Sequence, residues 1–589
     1  MMPLKLVLSV VLLVSIKSIF AAELGIIHFN DFHSRFDVVD PQNKGGRCTK
    51  DIQDTCVGGF ARMHAKIKEL KQSDPNALVV NAGNVFTGTL WFGLFRWNVT
   101  AEFMNLLPVD VQTIGNHEFD IAGPQAAASY LKMLHSNLPT VISNIDASKE
   151  PELEPFIQIS HIVNRYGLKI GIVGYVTTDY PNLQNTGNLV FHDEAYATNQ
   201  VIKDLREIDK VDVVVAIAHA GYAKDLYIAK TLDADVIVGA HSHTFLYTGT
   251  PPPNYDKSEG PYPTIVTQAN GRKVLIVQAG AFSKYIGYLK VKFDKKGDRY
   301  SVTSWEGNPF LLDKTVRTDP AIEAKLQPWR SEVEAYGMQE IGETLVPLDE
   351  AGGVCDRQEC LSGRMITDAM VYEYSKQREG RSWTRAAVGV LHADGFRPAI
   401  KQGVITYADV YEAFPYNDHF GMVELNGQHV QEFLERSVEK ENSPFLQMSG
   451  VKAKFNMTQP KGERVSDIFV RCSTCPVPAY EPLLPHKYYR IIMSEYLYNG
   501  GDGMDLIKKR ARFWAPGKGD IEVIMNYLEA FSPLIVELDE NIAVHMTLEH
   551  ATGIRSAKKN KYGACQFPMS MFLYLCNIRS HALRALPSL

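Results

Sequence analysis

The stretch Leu24-Gly-Ile-Ile-His-Phe-Asn-Asp-Phe-His33 carries the plan of the fold. An apolar run, Leu24–Phe29, ends in a carboxylate and an imidazole two residues apart. Side chains alternate along an extended chain, so Asp31 and His33 leave it on the same side. Four later stretches repeat the arrangement. Ala77–Val80 precedes Gly83-Asn84, and Val111–Ile114 precedes Gly115-Asn116-His117-Glu118. Val213–Ala218 precedes His219, and Val236–Gly239 precedes His241-Ser242-His243. Strand ends that converge on one face are where open α/β sheets place their sites. Together these tips offer carboxylate, imidazole and amide oxygen, the donors that two divalent ions about 3.5–4 Å apart would take. Any one of these histidines alone reads more simply as a hydrogen-bonded core residue; the ordered set does not. Asn84 is the exception, a neutral amide where two cations would want a shared anion.

With 589 residues the chain has room for two or more domains. A net charge of −6 argues against nucleic acid as a partner. Residues 1–22 read as a secretory signal: Lys5 is basic, Leu6–Val14 is apolar, and Ala21-Ala22 offers a small-residue cut. The apolar run is too short to span a bilayer well. The eight cysteines fall in local pairs, Cys48/Cys56, Cys355/Cys360, Cys472/Cys475 and Cys565/Cys576. Such pairs also occur in zinc ribbons, but no CxxC partner lies at suitable spacing, and export favours short-loop disulfides. Asn98-Val-Thr100 and Asn456-Met-Thr458 are glycosylation sequons. The apolar stretch Met569–Cys576 is followed by Asn577, Arg579, His581 and Arg584, unlike a lipid-anchor signal. The expectation is a secreted chain without a membrane anchor.

Residues 23–315 alternate strand-like runs with helical stretches (Gly59–Leu70, Gln125–Leu134, Ala195–Ile208), an α/β layered pattern. Pro251 to Pro263 reads as a loop. Residues 316–340 hold a polar linker helix, Pro320 to Gly337. Residues 341–550 read as an α+β domain with strands near Ala387–Leu391, Met422–Leu425 and Tyr489–Met493, and 551–589 as a tail.

On these motifs the chain resembles the calcineurin-like metallophosphoesterases. Gly88-Thr-Leu-Trp-Phe92, His241-Ser-His-Thr-Phe-Leu-Tyr-Thr-Gly249, Asn499-Gly-Gly-Asp-Gly503 and the cysteine pairs bring it closer to the 5′-nucleotidase/apyrase family, over residues 24–550. The resemblance implies a four-layer α/β/β/α metallophosphoesterase domain, a linker helix and a C-terminal α+β nucleotide-binding domain. It implies two divalent, zinc-like ions, with Asp31, His33 and His243 on the first, Asn116, His219 and His241 on the second, and Asn84 at the bridging position, where the family has Asp. It makes His117 the transition-state histidine and Asp120 its orienting carboxylate. Tyr416 and Tyr496 match the aromatics that sandwich a purine, Asp502 the ribose acceptor, and His392 and Arg397 the phosphate loop.

Three departures fall at the reacting end. Asn84 leaves Asp31 as the single carboxylate of the ligand set, which weakens compensation of ion–ion repulsion. Asp356 stands where the family has Arg, with Arg357 beside it. His392-Ala-Asp394 replaces Asn-Gly-Gly, narrowing the backbone angles that cradle an anion. A fourth difference, Thr367 and Gly389 in place of a disulfide, leaves no stray thiol. The expectation is a binder of purine nucleotides with weakened or lost hydrolysis that inhibits platelet aggregation, as salivary apyrases of blood-feeding arthropods do. One alternative is an active metal-dependent nucleotidase. Another is an antagonist of the platelet fibrinogen-receptor integrin through Lys296-Gly297-Asp298 or Lys518-Gly519-Asp520, tripeptides that ordinary turn chemistry also explains.

Overall fold

The computed structural model describes residues 21–545, apart from 42–45, 49, 51, 135–137, 253–255, 298, 349–353, 378–379, 381, 398–399, 415–417, 440–444 and 539–541. Tyr416, Asp298, the pair Cys565/Cys576, residues 1–20 and the tail therefore lie outside the described residues.

Two sheets face each other in the N-terminal half. The first runs Arg299–Leu311, Tyr285–Lys296, Ala21–Phe29, Leu78–Asn81, Val111–Gln112, Thr140–Val141, Ile157–Gln158, parallel from Ala21–Phe29 onward. The second runs Thr264–Thr267, Lys273–Val277, Val236–Val238, Val213–His219, Leu168–Val176, Ser160–Arg165, with a parallel centre of four strands. The period of two divides each strand between two cores. Ile26, Val80, Val215 and Val238 pack between the sheets. Ile27 and Val79 face the other way, onto Met63 and Ile67 of helix Phe60–Ser73 and Phe103 of helix Trp97–Met104. Val214 and Ala216 turn out onto Ile202 and Leu205 of helix Glu194–Glu207. Four layers result, helix, sheet, sheet and helix, and the parallel strands of both sheets end at the same edge.

Helix Pro320–Gly337 follows. Asp319 caps it by accepting from the Ala321 N–H at 3.0 Å, and proline at its first position loses no hydrogen bond there. Trp329 meets Phe95 of the N-terminal half at 4.6 Å between centroids, and Tyr336 meets Tyr407 of the C-terminal half at 4.4 Å. Arg47, beside the Cys48–Cys56 disulfide, adds a second bridge: its guanidinium reaches Asp409 at 2.9 Å and its backbone N–H donates to Glu412 at 2.7 Å.

The C-terminal half centres on a mixed sheet ordered Leu446–Ser449, Val388–His392, Tyr488–Ser494, Phe420–Asn426, Trp514–Ala515. Helices Leu361–Ser375 and Asp520–Phe531 cover one face; Val430, Phe433 and Leu434 of helix Gly427–Ser437 pack on the other. A Cβ on Gly389 would lie 2.7 Å from the Thr367 carbonyl, so the two positions lacking a disulfide are neighbours. Cys355–Cys360 and Cys472–Cys475 are bonded. Among the described residues no helix is long and apolar enough to cross a membrane.

Candidate metal centre and nucleotide cleft

The five tips meet. Oδ1 of Asp31 lies 4.0, 3.8 and 3.7 Å from Nε2 of His33, His219 and His243. Nε2 of His33 and His243 are 3.2 Å apart, and with Asp31 their donor atoms fall within 4.8 Å of one another. Beside them Asn116 Oδ1 sits 3.1 Å from His241 Nδ1. His219 Nδ1 is 2.6 Å from the Ala82 carbonyl, which fixes the proton there. Its Nε2 is buried with no hydrogen-bond partner among the described residues. A lone pair buried beside a carboxylate is the arrangement of a metal ligand whose other nitrogen is anchored.

The backbone is strained where the donors sit. Asp31, His33, Asn84, His241 and His243 all have positive φ, from 49° to 79°. Left-handed residues other than glycine concentrate at functional sites, where the surrounding structure holds them. Gly115 and Gly83 make room: a Cβ at 115 would lie 2.0 Å from Asn84 Oδ1, and one at 83 would lie 2.6 Å from the Gly115 nitrogen.

Burial sets the charges. It pushes the Asp31 carboxyl up to about 7 against the pull of Asn30, Asn84 and the His241 N–H. It holds His33, His219 and His243 well below the ordinary histidine range and brings His241 down to about 4. Neutral imidazoles are the metal-binding form. His117 moves the other way. Burial opposes its charge, but Asp120, with Glu118 and Asp31 behind it, lifts it above the ordinary value. His117 Nδ1 lies 2.9 Å from Asp120 Oδ2, which also accepts from Thr87 at 2.7 Å.

The donor set fits one ion readily through Asp31, His33 and His243. The second position has Asn116, His219 and His241, with Asn84 between the two. The Asn84 amide is oriented by an obligatory donor: the His117 N–H gives to its Oδ1 at 3.1 Å. Its NH2 group therefore faces Asp31 Oδ1 at 3.0 Å and Asn116 Oδ1 at 3.4 Å. Those oxygens belong to the two ligand sets, and the amide joins them with its own partial positive charge.

Two residues at this site carried no role in the sequence reading. Glu118 is fully buried and accepts from the backbone N–H groups of Asn84, Val85, Phe86 and Gly115 at 2.5–3.1 Å. Its place in Gly115-Asn-His-Glu118 was visible, but a carboxylate that ties loops leaves no spacing signature. Phe282 lies 4.9 Å from His243 and 5.6 Å from His33, beyond the end of the strand Lys273–Val277. An apolar ring next to polar donors gives no sequence signal.

Arg397, from the C-terminal half, lies 5.4 Å above the Phe282 ring, and its Nη1 is buried without a hydrogen-bond partner among the described residues. His392 stacks on Tyr496 at 4.8 Å and 27°, and burial pushes it down to about 4. Tyr496 donates to Asp502 at 3.0 Å, and Asp502 holds φ 55° among glycines. His392, Tyr496 and Asp502 thus form one cluster, with His392 Nε2 3.9 Å from Asp502 Oδ2, while Arg397 is the one that reaches Phe282 beside the metal-type donors. His392 takes one face of Tyr496, which the family pattern did not foretell. Asp356 and Arg357 are exposed on the Cys355–Cys360 loop.

Residues 24–245 match the calcineurin-like phosphoesterase family model, and residues 340–509 match the 5′-nucleotidase C-terminal domain. An apyrase of Tabanus yao is 36% identical over 529 residues, covering 88% of this chain and 93% of that protein. The chain belongs to the 5′-nucleotidase/apyrase family. The human 5′-nucleotidase is 36% identical over 86% of this chain and 88% of its own. The crystal structure of a 5′-nucleotidase precursor from Thermus thermophilus superposes with a TM-score of 0.74 at 30% identity, covering 89% of this chain and 99% of that one. The calcineurin-like fold implies divalent metal ions, and the 5′-nucleotidase family binds nucleotides as substrates.

One sequence expectation needs correction. Lys518-Gly519-Asp520 is not a presented turn. Asp520 is the first residue of helix Asp520–Phe531, is 2% exposed, and accepts from the Asp418 and Ile521 N–H groups at 3.0 and 2.7 Å. Lys518 is tied to Glu522 and Glu373 at 2.7 and 3.2 Å. A receptor could not reach that carboxylate. Of the two sequons, Asn98 is exposed, and Asn456 accepts from the Thr458 N–H and hydroxyl at 3.1 and 2.7 Å.

Proposed function

We propose that this family member binds purine nucleotides in the cleft between the metal-type cluster and Tyr496, and that its hydrolytic power is reduced or lost. The observation that carries the reading is the Asn84 amide, whose NH2 group joins Asp31 Oδ1 and Asn116 Oδ1. A carboxylate there would give an oxygen to each ion and cancel a charge; the amide does neither. Asp31, His33 and His243 would hold one ion, and Asn116, His219 and His241 a second, more weakly. Bound ions would supply Lewis-acid charge and an activated water.

The chain's own groups divide the remaining work. Arg397, its guanidinium facing the cluster across Phe282, meets the phosphate. Tyr496 stacks on the base and Asp502 accepts from the ribose hydroxyls, with Tyr416 as the opposing aromatic. Asp120 holds His117 in one orientation toward developing negative charge. The retained His117–Asp120 pair, at 2.9 Å, favours a second reading, an active metal-dependent nucleotidase.

The leader, the short-loop disulfides and the sequons support an extracellular setting, with domains at 23–315 and 341–550 joined by the linker 316–340. There, sequestering or removing ADP would suppress platelet aggregation. Binding of ADP and AMP by calorimetry, beside phosphate release with Zn2+, Mn2+ or Ca2+, tests the reading. Nucleotide binding with little release supports it. Turnover within the ordinary enzyme range of about 1–10³ s⁻¹ would establish the second reading instead.

A further inference from the structure

At the far end of the C-terminal sheet lies a cavity of about 300 Å³ whose character differs from the nucleotide cleft. It opens where the parallel strands Val388–His392 and Tyr488–Ser494 begin, whereas His392 and Tyr496 lie at or just beyond their ends. At about 3.3 Å per residue the two ends of the shorter strand are roughly 13 Å apart. Its volume is at the small end of ligand-binding cavities.

Among the described residues four cationic side chains line it, Arg385, Arg471, Lys487 and Arg490, with one carboxylate, Glu424. Each has partners of its own: Arg385 donates to Gln377 at 3.3 Å. Arg490 lies 3.6 Å from Glu424, which also pairs with Arg512 at 3.1 Å. Lys487 meets Glu481 at 2.9 Å, outside the lining. Arg471 bonds the Tyr480 hydroxyl at 3.3 Å and lies over that ring. Hydroxyl donors complete the wall: Ser473 and Thr474 stand on the Cys472–Cys475 disulfide loop. The Trp383 indole pins that loop by donating to the Cys472 carbonyl at 2.7 Å.

Cationic groups gathered in one concavity raise its local positive potential even where carboxylates flank some of them. Guanidinium and hydroxyl donors lining one cavity match the several acceptor oxygens of a tetrahedral oxyanion. We propose that this pocket is an anion-binding site, distinct from the nucleotide cleft, that takes a sulfate or phosphate group carried on a small polar molecule. It does not depend on the nucleotide reading, since none of its residues belongs to the cleft.

Calorimetric titration of the full chain with inorganic pyrophosphate and with a sulfated heparin-derived disaccharide tests it. The Arg397→Ala variant in chelator, which lacks both the arginine and the ions that would meet phosphate at the cleft, is titrated in parallel. The proposal expects saturable binding of at least one probe to that variant. Adding Arg471→Gln should weaken it about tenfold, the scale of one lost charge-assisted contact. Adding Glu424→Gln should strengthen it, a sign that misfolding cannot mimic. Pyrophosphate alone binding identifies a phosphate ligand; disaccharide alone, a sulfated saccharide. Failure of both probes at millimolar concentration, or affinity untouched by Arg471→Gln, overturns the proposal.

Discussion

Glu118 joins the loop after strand Leu78–Asn81 to the turn after Val111–Gln112 through four backbone N–H groups. Burial raises its pKa and those donors oppose the rise. A glutamine there turns an NH2 group toward donors that need an acceptor. Glu118→Gln should cost about 1–3 kcal/mol, the penalty for stranding buried donors, read as a lower urea midpoint at unchanged slope. Tyr496 is the residue-scale test of the purine slot. Its replacement by alanine should weaken ADP binding by about 1–3 kcal/mol, the usual worth of one base–aromatic stack, while metal content stays as it was. Equal loss of metal and nucleotide would place Tyr496 in the fold's support rather than in the slot.

At the level of elements, the start of helix Asp520–Phe531 carries a buried acid pair. Burial pushes Asp418 up to about 6 and Asp520 well above the carboxylate range, and Asp418 adds to the rise at Asp520. Folded-state values raised above the unfolded ones mean stability that is present at low pH and lost as pH climbs. The pair should therefore subtract stability as pH rises from about 4 past 6. Asp520→Asn removes one of these charges, so its deficit against the parent should be smaller at pH 7.5 than at pH 5 in paired urea titrations. The strand tips were legible because apolar runs ending in Asp-x-His or His-x-His serve both the pleat and the ligand geometry. Helix Pro320–Gly337 was legible from its polar face and terminal proline and glycine. Phe282 and the stacking of His392 on Tyr496 were not, because both arise only when distant segments close on one another. Lys518-Gly519-Asp520 misled for a related reason: a turn-like tripeptide and a helix start share residue types, and only packing decides which one forms.

For the whole molecule, the two halves meet along helix Pro320–Gly337 and the Arg47 bridge, and the proposed nucleotide cleft draws residues from both. Ion binding should stabilise the N-terminal half alone. At a hundredfold excess of ion over its dissociation constant the gain is about 2.7 kcal/mol, or roughly 4 °C for a domain of this size. Calorimetric scans with chelator and with Zn2+ should show one transition moving and one fixed. Both moving together would mean that the halves unfold as one unit. Asn84 and the second ion decide whether the site works. Metal per chain, measured by mass spectrometry after equilibration with Zn2+, together with phosphate release from ADP, tests it directly in the parent and in Asn84→Asp. The parent should hold one ion tightly and release phosphate feebly, and the variant should hold a second ion with a clear gain in release. Two ions in the parent, or a variant that gains neither ion nor turnover, would contradict it.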